Sequence, residues 1–155
     1  MNTKKLNKIF FARYADKVAK DLLGKILCRK INGKILKAKI IETEAYFDEK
    51  DPASRARQKG DLRQTMLMEF GTTLVYGVHN NWLINFVTND KEKAEAVLIR
   101  ALEPANFIAN TKGPGLLTKA LKINKLFHKK NICKDENLWL EENENNEKFE
   151  IIESF

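Results

Sequence analysis

Cysteine is scarce in this 155-residue chain, which holds two, Cys28 and Cys133. Two thiols cannot build the disulfide framework of a small secreted domain, and their spacing is not that of a metal site, so a reducing, cytoplasmic setting is expected. Histidine is as rare: His79 and His128 lie far apart, with no cysteine or carboxylate pattern close by. On that count a catalytic zinc site is not expected, nor is another metal or cofactor. No apolar run approaches the roughly 20 residues that a membrane-spanning helix requires. The basic start, Met1 to Lys8, is not followed by the apolar stretch of a secretory signal. The expectation is a soluble protein with no membrane partner, one domain at this length.

Other signatures are missing as well. Gly113 to Lys119 has the glycines of a phosphate loop without its Gly-Lys-Ser/Thr ending, which removes nucleotide hydrolysis. No Gly-x-Ser-x-Gly elbow occurs, and neither cysteine sits in a nucleophile motif.

What is present is positive charge, unevenly spread. Residues 135–155 hold eight of the 21 acidic residues and one of the 28 basic ones, which leaves a net +14 on residues 1–134. Such a surface favours a polyanion through counterion release, and nucleic acid is the first candidate; a solvated lysine-rich surface is an equal rival on charge alone.

Apolar periodicity predicts a helix through Phe11, Tyr14, Ala15, Val18 and Leu22, ended by Gly24. Ile26–Ile31 and Ile35–Thr43 flank Asn32-Gly33, the composition of a two-residue hairpin turn. Residues 47–65 lack apolar periodicity and read as a long surface loop. Leu74–Tyr76, Trp82–Thr88 and Ala96–Leu102 are strand-like, and Gly113-Pro114-Gly115 opens a short helix. The acidic stretch 141–147 reads as a solvated loop before a strand-like Phe149 to Ile152.

One strand carries the chemistry. Leu36, Ala38 and Ile40 alternate with Lys37 and Lys39, and strict alternation puts Glu42 and Glu44 on the same apolar face as Leu36. Carboxylates there must be paired, hydrogen-bonded or chemically employed. Arg100, alone in an apolar run, likewise demands an anionic partner, with Glu42 or Glu103 the structural choices.

Five ordered blocks resemble the alkyladenine (3-methyladenine) DNA glycosylase family: LLGKIL from Leu22, IIETEAY from Ile40, DPAS from Asp51, VLIRALEP from Val97 and GPGLLTKAL from Gly113. NLWLE from Asn137 extends the match. The resemblance implies a single α+β domain with a curved, mainly antiparallel sheet, a protruding β-hairpin and peripheral helices. It implies a monomer acting on duplex DNA that contains damaged purines, flipping the purine out and hydrolysing its N-glycosidic bond without a covalent amine intermediate. By the same resemblance Glu44 is the general base, Arg100 lies near the water and the DNA backbone, Tyr46 stacks on the flipped base and Asn85 meets the purine edge. Glu42 is more simply read as hydrogen-bonding support.

Three departures qualify the likeness. Arg55 stands where the family has a pocket histidine, and is carried over as a pocket or phosphate contact. The segment Gly71 to His79 is shorter than the family's, which leaves two registers: matching on YGVH makes Tyr76 the side chain inserted into the DNA, whereas matching on LVY makes Tyr76 a second stacking aromatic and puts His79 at the tip. The first is adopted as the expectation. The C-terminus is shortened against the family pattern. Together with Arg55 this keeps open a protein that binds lesions or distortions with little hydrolysis; a sugar glycosidase built on Glu42 and Glu44 fits the positive charge poorly.

Overall fold

In the computed structural model Asn32 and Gly33 take positive φ angles of 50° and 79° and join β1 (Ile26–Ile31) to β2 (Lys34–Tyr46) in a tight antiparallel hairpin. Two successive left-handed residues give that turn the twist of the strands it joins. His79 and Asn80, at 51° and 65°, do the same between β3 (Thr73–Val78) and β4 (Asn81–Val87). With β5 (Ala96–Pro104) and β6 (Leu138–Glu141) they form a six-stranded antiparallel sheet ordered β3-β4-β5-β2-β1-β6. The α+β class is therefore observed. The structure describes residues 4–47, 60–89, 93–144 and 151–152.

Alternation gives the sheet two faces. One buries Ala38, Ile40, Phe86 and Ile99 against Val18 and Leu22 of α2 (Ala15–Leu22) and Leu117 of α4 (Pro114–Ala120). The opposite face carries Leu74, Tyr76, Val87 and Ala96, packed with Met66 of α3 (Asp61–Met66). This second face holds the site.

Four expectations change. The single N-terminal helix is two: α1 (Lys8–Phe11) ends before Arg13, and Tyr14 is extended and 54% exposed at the entry to α2. The amide of Ala15, an unpaired helix-start donor, is capped from 80 residues away by the buried carboxylate of Glu95 at 3.0 Å, a bond no local pattern announces. Within the expected loop 47–65, Asp61–Met66 is helical, while residues 48–59 lie outside the described residues. Leu138–Glu141 is a buried strand, so the acidic stretch does not begin in solvent: Glu141 is 6% exposed and accepts from Trp139 Nε1 at 2.7 Å and Lys37 Nζ at 3.2 Å. Burial alone would raise its pKa; those donors outweigh it and hold the carboxyl below its ordinary range. Finally, Phe149 and Glu150 lie outside the described residues, and Ile151 and Ile152 are exposed and outside any strand.

The β3–β4 hairpin is braced by α4. Thr118 Oγ1 donates to the Trp82 carbonyl at 2.7 Å, and a Cβ on Gly115 would stand 2.7 Å from Cγ and 2.8 Å from Cβ of Asn81. Gly115→Ala is accordingly expected to lower stability by about 1–3 kcal/mol, the range for an added methyl in a filled contact. Urea denaturation of the single variant and of Gly115→Ala with Asn81→Gly checks this, with the double variant expected to recover most of the loss.

Candidate active site

The placement of Glu44 depends on an irregularity shared by two strands. β2 and β5 pair as Ile40↔Leu102, then Glu42↔Ala101, then Thr43↔Ile99, so Ile41 and Arg100 each fall out of the ladder. An extra residue on each strand exchanges the faces without changing the overall register. Before it, Ala38 and Ile40 point into the main core; after it Thr43 does, donating from Oγ1 to the Ala19 carbonyl at 2.8 Å, and Ala45 packs there too. The expectation that Glu42 and Glu44 share the face of Leu36 is thus corrected: they lie on the opposite face.

There Arg100 takes both. Its Nη1 donates to Glu44 Oε2 at 2.6 Å and its Nε to Glu42 Oε1 at 3.3 Å. Burial works against the guanidinium charge, but the Glu44 and Glu42 carboxylates outweigh it and hold the Arg100 pKa above its ordinary value. Glu103 pairs instead with Lys39, at 3.7 Å. The Glu44 side chain keeps 39% of its exposure, so solvent reaches it even while the arginine holds one oxygen.

Across the strands Glu44, Leu98, Asn85 and Leu74 form one row of neighbours. Adjacent strands lie about 4.8 Å apart, which puts the backbones of Glu44 and Asn85 about 10 Å apart with Leu98 between them. Asn85 is 1% exposed and donates from Nδ2 to the Leu74 carbonyl at 3.3 Å. Tyr46 lies one step along β2 from Glu44 on the same face. Burial, and then the Glu44 carboxylate that accepts its hydrogen bond, push the Tyr46 phenol well above its usual range. Tyr76 does not project from the hairpin: it is 9% exposed, paired with Leu83 at the base of the turn. The exposed tip belongs to His79, whose carbonyl accepts from Asn81 Nδ2 at 3.2 Å. Arg55 lies outside the described residues.

The structure therefore brings Glu44, Arg100, Tyr46, Tyr76 and Asn85 onto one face and sets His79 apart at the hairpin tip. A profile of the methylpurine-DNA glycosylase family matches residues 9–155. The chain belongs to the methylpurine-DNA glycosylase family. Among relatives of this chain, an Aeropyrum pernix protein with the provisional name 3-methyladenine DNA glycosylase is 44% identical over 124 residues, 77% of this chain and 64% of that one. The chain thus spans less than two thirds of that relative. Proteins of the same provisional name from Clostridium tetani and Borrelia garinii are 36% and 38% identical, covering 97% and 88% of this chain and 85% and 77% of theirs.

Three features of this glycosylase-family site escape a residue-by-residue reading. The paired irregularity at Ile41 and Arg100 has no motif, although a lone arginine in an apolar strand is a fair signal for a break in pleat. Gly115 announces itself only as a helix-entry glycine. His128, treated above as lacking partners, is 8% exposed at its side chain and bonded to Asp61 and to the backbone of β3.

Proposed function

We propose that the protein is a monofunctional DNA glycosylase that flips an N-alkylated purine out of duplex DNA and hydrolyses its N-glycosidic bond. The observation carrying this is the solvent-reachable Glu44–Arg100 pair, two strands from Asn85, on a face that also presents Tyr46 and Tyr76. A general base must stand within hydrogen-bond reach of the proton it removes. Glu44 takes a proton from water, the water oxygen bonds to the sugar anomeric carbon, and the bond to the purine nitrogen breaks with its electron pair leaving on the base. Arg100 orients Glu44 and offers its charge to the DNA backbone nearby. Tyr46 and Tyr76 line the pocket as stacking aromatics, because an electron-rich ring face attracts a cationic methylated purine. Asn85 reads the purine edge.

On this reading the second register is preferred. Tyr76 is a wall of the pocket, and His79, at the tip of a two-residue turn, enters the gap that the flipped nucleotide leaves, offsetting part of an unstacking cost of a few kcal/mol. The relatives' names support the substrate class, and the net +14 on residues 1–134 supports a polyanionic partner.

The test is incubation of the purified monomer with methylated duplex DNA, with analysis of the bases set free. Release of 3-methyladenine or 7-methylguanine, with binding that falls steeply as salt rises, is the expected result. Tight binding to an abasic-site duplex without any release would replace the enzyme by a lesion-binding protein.

A further inference from the structure

We infer that His128 is a positioning residue that clamps the strand bearing Tyr76 against α3 and so sets one wall of the base pocket. This rests on the glycosylase reading only for what the wall contacts. β3 is the edge strand of the sheet, and the chain after the 3₁₀ turn Lys125–Phe127 runs along its free edge. The amide of Thr73 donates to the Lys130 carbonyl at 2.7 Å, and the amide of Lys129 donates to the Thr73 carbonyl at 2.8 Å. The next outward donor, the amide of Val75, has no carbonyl opposite and donates to His128 Nδ1 at 3.0 Å. An imidazole nitrogen therefore completes the ladder beside Tyr76.

The other nitrogen ties down α3. A ring that accepts at Nδ1 and is neutral carries its proton on Nε2. Nε2 lies 2.8 Å from Asp61 Oδ2 and 3.4 Å from Thr65 Oγ1, whose own proton goes to the Asp61 carbonyl at 2.7 Å. Lys129 Nζ holds the second Asp61 oxygen at 2.5 Å. Asp61 and Thr65 belong to α3, and Met66 of that helix packs with Tyr76. One ring thus joins the edge of β3 to the helix that covers it. Removing it leaves a strand amide without an acceptor and lets helix and strand move apart, which reaches the substrate through Tyr76.

Two substitutions separate the halves of the clamp. In His128→Asn the side-chain Oδ1 takes the place of Nδ1 and still accepts from Val75; His128→Leu offers neither contact. With methylated duplex DNA, His128→Leu is expected to raise KM about tenfold, the scale of one unsatisfied buried donor, with kcat within about twofold of wild type. His128→Asn, which keeps the Val75 contact and loses the tie to Asp61, is expected to fall between His128→Leu and wild type. Nitrogen-15 spectra should show a neutral ring protonated at Nε2, and amide exchange at Val75 should quicken in His128→Leu and not in His128→Asn. An Asn variant equal to wild type or no better than Leu, a proton on Nδ1, or a fall in kcat at unchanged KM overturns the assignment. If wild type releases no base, the glycosylase reading fails by itself, and the nitrogen spectrum and Val75 exchange still decide the clamp.

Discussion

Glu44→Gln is expected to lower purine release by on the order of 10²-fold or more while leaving lesion binding nearly intact, the range for removal of a positioned general base. Glutamine preserves the size of the side chain and can still accept from Arg100 Nη1, now 2.6 Å from Glu44 Oε2, so the sheet around it need not rearrange. What is lost is the capacity to take a proton from water. Single-turnover release from a methylated duplex, set beside binding to an abasic-site duplex, separates the two effects. Equal losses in both would mean that Glu44 only holds Arg100, and the hydrolytic assignment would fall.

Arg100→Gln has the next largest expected effect, and its direction follows from charge. The guanidinium lies between two carboxylates on one strand, at 2.6 and 3.3 Å, and their attraction holds its own charge firmly in place. Without Arg100, Glu44 loses the donor that fixes its Oε2, and Glu42 and Glu44 confront each other with no cation between them. Purine release is expected to drop by about tenfold or more at neutral pH, the loss from a base no longer held in place. Arg100→Lys keeps the charge without the two-pronged geometry and should fall between the two. Unchanged single-turnover release in Arg100→Gln at saturating DNA would show that the arginine serves DNA binding alone. Because the side chains of Arg100 and Glu44 are both 39% exposed, the pair is given no weight as a source of fold stability.

The outcome at β2 shows how far a local pattern carries. Alternation from Leu36 through Ile40 correctly orients the first half of the strand, and it fails at Ile41, where the ladder skips a residue on each side. Period two is a property of continuous pairing, and neither strand alone reveals that both will break step at the same level. The residues of the site were legible because motif blocks keep their chemistry in order along the chain. Their arrangement was not: Tyr76 reads first as a projecting finger, and only its pairing with Leu83 and its burial show that it does not project. The helix break at Tyr14 has a similar origin, since the acceptor that caps Ala15 is Glu95 on a distant segment.

By itself, then, the amino-acid order determined the turns at Asn32-Gly33 and Pro114, the strand-rich middle and the basic bias of residues 1–134, because each follows from short-range sterics, periodicity or composition; the candidate acid, arginine and aromatics were named by family resemblance. Only tertiary structure decided which face Glu44 occupies, that Arg100 serves Glu42 and Glu44 together, and that His128 closes the edge of β3. Those depend on pairing between segments far apart in the chain, where the free energy of a contact is set by which partner the whole fold brings within hydrogen-bond distance.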